Sequence, residues 1–105
     1  MSTIFKLNPE PTFRVKVAIP DAGGPDLELE VEFRRKTRDD LVAFFSGLAG
    51  RSDADALTDI VAGWHNCETA FSRETLETLL QNYPAAGKAL IAKYASESTG
   101  ARLGN

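Results

Sequence analysis

His65 and Cys67 are the residues whose types first suggest chemistry, since imidazole and thiol both bind metals and both serve nucleophilic catalysis. They form a His-x-Cys pair inside the stretch IVAGWHNCETAFSRETLETLLQNYP, from Ile60 to Pro84. A zinc site needs about four ligands at characteristic spacings. The chain holds one histidine and one cysteine, so no second His or Cys exists to complete such a set. A nucleophilic Cys67 would need a base, and His65 would in turn need a third group to orient it. The pair reads as a polar turn carrying a half-buried thiol. The carboxylates at Asp39, Asp40, Asp53, Asp55 and Asp59 could suggest acid–base work, but helix capping and solvation account for their positions. The glycine pair between Asp21 and Asp26 lacks the strand–loop–helix setting and the lysine of a phosphate loop. No catalytic, metal-binding or cofactor-binding residue is assigned.

The single basic run is Arg34, Arg35, Lys36 and Arg38. It could meet nucleic-acid phosphates or an acidic partner. No aromatic residue interleaves it, two aspartates follow it, and the formal net charge of the chain is −3. A solvated strand-to-helix junction explains the run; a small nucleic-acid-binding regulator stays as the alternative. An apolar run is the other candidate surface. Leu41, Val42, Ala43, Phe44 and Phe45 form a wider strip than one buried helix face needs. Leu41, Val42, Phe44 and Phe45 are candidate partner-binding residues, with Val42 or Phe45 left at the surface; two helices covering the run from different sides would explain it equally well.

The elements that position these residues follow from periodicity. Residues 1–11 carry Ile4, Phe5 and Leu7 before a Pro9-Glu10-Pro11 break, and either dock on the domain or add an extended segment. Across 12–35 two alternating runs face each other. Phe13, Val15, Val17 and Ile19 share one face, as do Leu27, Leu29, Val31 and Phe33, with the turn formers PDAGGPD between. Setting Ile19 opposite Leu27 brings Lys16 to Glu30 and Arg14 to Glu32, so charge complementarity favours this register. From 37 to 97 the period becomes helical. Four apolar stripes run Leu41–Leu48, Leu57–Trp64, Leu76–Tyr83 and Gly87–Tyr94, each at i, i+3, i+4, i+7. Thr37, Ser52 and Ser72 suit N-caps, Phe71 and Leu76 have hydrophobic-staple spacing, and Pro84 suits the opening of the last helix. Trp64 and Phe71 read as core. Small and turn-forming residues from Ser96 onward predict a frayed tail over 98–105. The expected architecture is α+β, one domain over 1–105, with an N-terminal antiparallel β-hairpin packed on about four short α-helices. A lone hairpin is marginal in water. Its edges could take a third strand from the N-terminal segment or from a partner.

Composition bounds the rest. A 105-residue chain with 43% apolar residues and mixed charges is that of a soluble globular domain. One cysteine excludes an internal disulfide, the N-terminus lacks signal-peptide features, and no apolar run nears the ~20 residues of a membrane span. A cytoplasmic protein is expected.

The order of segments resembles the small tail assembly chaperones of long-tailed phages and prophages. The resemblance is carried by PTFRVKVAIPDAGG before a second strand ending FRRKTRDDL, then DIVAGWHNC, then FSRETLETLLQNYP and a helix ending IAKYASES. It covers about Pro11 to Ser98. It implies a non-enzymatic protein that binds the long tape measure protein, keeps it soluble and helps recruit tail tube subunits, leaving before the tail is complete. Self-association is a further expectation; membrane and nucleic-acid partners are not expected. Many such proteins also exist in a longer, frameshifted form. The family offers no catalytic motif and no residue-level binding motif to carry over.

Overall fold

The structure, a computed structural model, describes residues 4–100. Thr12–Ile19 (β1) and Leu27–Arg34 (β2) form the antiparallel hairpin, joined by a turn in which Gly23 takes a left-handed φ of 79°. Glycine adopts that conformation without the Cβ penalty other residues meet. The register pairs Ile19 with Leu27, Lys16 with Glu30 and Arg14 with Glu32, as the alternation predicts. The charges pair on a diagonal, however: Arg14 Nη2 meets Glu30 Oε2 at 2.8 Å, two positions along. Glu32 turns instead toward Thr12 and His65.

Four helices follow: Arg38–Ser46 (α1), Asp53–Ile60 (α2), Arg73–Asn82 (α3) and Ala86–Thr99 (α4), with a short 3-10 turn at Leu48–Gly50. The stripe read from Leu57 to Trp64 as one helix face is corrected here. The helix stops at Ile60, and Val61–Trp64 forms β3, antiparallel to β2, so the sheet order is β1-β2-β3. The third strand thus comes from mid-chain, not from the N-terminal segment. Two causes combine. The β-branched Val61 and Gly63 are poor helix residues, and the outer edge of β2 needs backbone partners. Val61 lies opposite Phe33, Gly63 opposite Glu32 and Trp64 opposite Val31, leaving Ala62 as the extra residue of a bulge. A bulge shifts the side-chain phase by one residue. It returns Val61 and Trp64, three apart, to one face, which mimics helical spacing.

The N-terminal residues Ile4, Phe5 and Leu7 do not dock on the body; each is 84–88% exposed. At the other end α4 continues past Ser96 to Thr99, where Gly100 closes it in a left-handed conformation. Ser96 and Thr99 hydroxyls donate to the carbonyls of Lys93 and Ala95, so these turn formers bond within the helix. Ser98 and Thr99 thus lie within α4, and residues 101–105 of the expected frayed tail lie outside the described residues. α4 opens at Ala86, two residues after Pro84.

One face of the sheet and the inner faces of the helices enclose the core. Val17, Val31, Phe33, Leu57, Ile60, Leu76, Leu90 and Tyr94 are all buried there. Phe13, Phe33, Phe44, Phe45 and Tyr94 stack around one another with ring centroids 5.1–6.5 Å apart. Caps fix the helix starts. Thr37, Ser52 and Ser72 hydroxyls each accept a first-turn N–H, and Ser72 forms a reciprocal box with Thr75. Replacing Ser72 with Ala is expected to cost about 1 kcal/mol, read as a lower urea midpoint at unchanged slope.

Candidate functional site

Of the residues singled out by type, His65 is used up in holding the fold and Cys67 is not. His65 continues the ladder beyond β3, its N–H donating to Glu30 O at 3.0 Å. Its ring Nε2 lies 2.8 Å from Glu32 Oε1 on the polar side of the sheet. The Thr12 hydroxyl, and next the His65 ring, hold the Glu32 carboxyl below the usual glutamate range. Asn66 finishes the edge: its side chain accepts from Glu30 N at 2.8 Å and donates to Glu28 O at 2.9 Å. Cys67 is an exposed free thiol, where a half-buried one was expected. Among the described residues no group of three or more His, Cys, Asp or Glu is gathered as metal ligands would be.

The basic run is similarly engaged. Arg34 Nη1 donates to the carbonyls of Thr58, Asp59 and Val61 at the C-terminal end of α2. Arg35 donates to Glu10 O and lies over the Phe13 ring. Lys36 pairs with Asp59 at 3.1 Å over the Phe44 ring. Only Arg38 stands free of the body, near Asp39. The run does not present the open row of cations that phosphate binding uses.

Asp59 also receives Arg51, at 3.1 Å. Partial burial pushes its carboxyl up, but the hydrogen bonds from Arg51 and Lys36, with their charges, outweigh burial and leave it lowered. A lowered folded-state value makes the ionised group stabilising above its unfolded value, near pH 4, and that contribution is lost as pH falls through the folded value. Wild-type protein is expected to lose more stability than Asp59→Asn between pH 7 and about pH 3. Urea titrations at the two pH values check this; parallel losses would contradict it.

The apolar strip of α1 divides cleanly. Phe44 is 4% exposed and stands edge-on to Tyr94, while Leu41 and Phe45 are half-buried against the core. Val42, at 62% exposure, is the one large residue of the strip that is exposed, beside the small exposed Ala43. A single exposed valine is ordinary surface.

A concavity lies elsewhere on the surface. A groove of about 680 Å³ opens between the hairpin end of the sheet, the turn after β3, and α3. That volume lies within the ~300–1,000 Å³ typical of ligand clefts. Leu27, Leu29, Trp64, Leu79 and Tyr83 give it an apolar lining, and Leu27 is 44% exposed. Trp64 is held as one wall by its indole N–H, which donates to Thr69 O at 2.7 Å, and by Phe71 set edge-on at 5.1 Å. The groove offers apolar contact together with hydroxyls, amides, the Cys67 thiol and the Glu28 and Glu68 carboxylates, so it can hold a side-chain stripe.

Sequence reasoning missed this groove because Leu27, Trp64, Leu79 and Tyr83 each fit a buried stripe. One signal was present. Thr75, Thr78 and Asn82 make an uncharged polar stripe on a helix whose other polar positions include Arg73, Glu74 and Glu77.

The family model for phage tail assembly chaperones matches residues 1–105, the whole chain. No curated protein and no solved structure matches it.

Proposed function

The chain belongs to the phage tail assembly chaperone family, and on that premise we propose that it binds the tape measure protein of a long-tailed phage or prophage. In this reading it keeps that protein soluble in the host cytoplasm and helps recruit tail tube subunits around it, without catalysing a reaction. The family match over the whole chain carries the reading. The apolar groove supports it, because keeping a long amphipathic partner soluble needs open apolar surface on an otherwise polar body. Among the described residues no helix is long and apolar enough to cross a membrane. An additional contact through α1 would rest on Val42 and the edges of Leu41 and Phe45, with Phe44 supporting them from within the core.

Co-expression with the tape measure protein encoded nearby, followed by pull-down at two salt concentrations, tests the proposal. Co-purification and a more soluble partner are expected. A partner that stays insoluble and unbound overturns it.

A further inference from the structure

We propose that the groove between the hairpin end of the sheet and α3 is the docking site for one amphipathic helix of the protein partner, apolar stripe inward and flanked by Lys or Arg. This rests on the chaperone reading and places the docked helix in the groove, away from α1.

Three observations define the occupant. First, α3 lines the groove with Thr75, Thr78, Leu79 and Asn82, spaced i, i+3, i+4, i+7. Such a row is the ridge against which a second helix packs. Of these four, only Leu79 also packs against the core. The short hydroxyl side chains at Thr75 and Thr78 allow close approach.

Second, the stretch of β2 beyond β3, which borders the groove, is not open to an added strand. An extended segment added beside β2 beyond β3 would need Glu30 N–H and Glu28 C=O, and the Asn66 amide already holds both. Docking at this stretch therefore runs through side chains. That is how a helix sits in a groove, and strand addition works differently.

Third, the lining includes Glu28 and Glu68 and contains no lysine, arginine or histidine. Neither glutamate forms an ion pair among the described residues, whereas Glu30, Asp55, Asp59 and Glu77 all do. A partner helix bearing cations beside its apolar stripe meets this potential favourably, and an acidic helix does not.

Two residues of the site report on occupancy. Trp64, the only tryptophan, forms one wall, and Cys67, the only cysteine, lies on the lining with an exposed thiol. The experiment titrates the full chain with a Leu/Lys amphipathic peptide of about five helical turns and with its Leu/Glu counterpart. The Leu/Lys peptide is expected to shift Trp64 emission and to slow modification of Cys67 by an aromatic disulfide reagent, while the Leu/Glu peptide does neither.

Thr78→Lys and Thr78→Glu place opposite charges on long side chains at an exposed helical position, and Thr78→Arg, also a good helix former, repeats the positive charge on a bulkier group. The lysine and arginine variants should each bind the Leu/Lys peptide about tenfold more weakly than the glutamate variant. Equal affinities of the lysine and glutamate variants, or a Cys67 rate unchanged by bound peptide, overturn the inference. Failure of the groove and failure of the function separate cleanly. Tape measure protein that co-purifies without shielding Cys67 removes the groove and leaves the chaperone reading. A peptide that docks while the tape measure protein stays unbound removes that reading.

Discussion

Tyr94→Ala is expected to destabilise the protein by about 3–5 kcal/mol, as truncation of a large buried aromatic does. Tyr94 is fully buried at the centre of the rings of Phe13, Phe33, Phe44 and Phe45, so its loss opens a cavity bordered by β1, β2 and α1 together. Marginal stabilities of about 5–15 kcal/mol leave little reserve against such a loss. The hydroxyl contributes separately. It donates to Arg34 O at 2.8 Å, tying α4 to the end of β2. Tyr94→Phe keeps the ring and removes that donor, for a cost of about 1 kcal/mol. Urea unfolding followed by Trp64 fluorescence measures both, and a Tyr94→Ala cost no larger than that of Tyr94→Phe would show that the ring cluster is not the keystone described.

The hairpin was legible because its two signals agree. Strict alternation fixes which residues face inward, and the Pro20–Asp26 turn fixes where the chain reverses, so the pairing of Ile19 with Leu27 followed. The caps at Thr37, Ser52 and Ser72 were legible for the same reason: a short hydroxyl before an apolar stripe has a local use that needs no tertiary information. β3 was not legible. Its bulge gives Val61 and Trp64 a three-residue separation, and only the unpaired edge of β2, a distant feature, decides between strand and helix. Tertiary context overrides local pattern at such a place.

The candidate site illustrates a different limit. In Leu41–Phe45 the apolar run is shared between core and surface: Phe44 is buried, Leu41 and Phe45 pack partly against the core, and Val42 and Ala43 are exposed. The groove failed to announce itself. Apolar type shows that Leu27, Leu79 and Tyr83 leave water, but whether they meet the core or a partner depends on how far α3 stands from the sheet end. Trp64, bound through its indole N–H to Thr69, lines the groove beside α3, and no residue pattern encodes that placement.

Arg34→Ala is expected to cost about 2 kcal/mol, in the range for hydrogen bonds made by charged groups, although its sequence neighbour in charge, Arg38, should be replaceable within about 0.5 kcal/mol. The guanidinium reaches three carbonyls at the end of α2, Thr58, Asp59 and Val61, at 2.8–3.5 Å. Those carbonyls lie at the negative end of the helix, where a cation is favourable, and they lie where the chain leaves α2 for β3. One side chain on β2 therefore joins the helix end to the strand that pairs beside it. Arg34→Lys should recover only part of the loss, because a compact ammonium cannot span the carbonyls as the planar fork does. Arg38 makes only a 3.8 Å contact with the exposed Asp39 and carries no comparable duty. Denaturation of the three variants decides the matter: equal costs at positions 34 and 38 would return the basic run to a solvated junction, and a large cost at 34 alone explains why that charge sits beside β3 on an acidic protein.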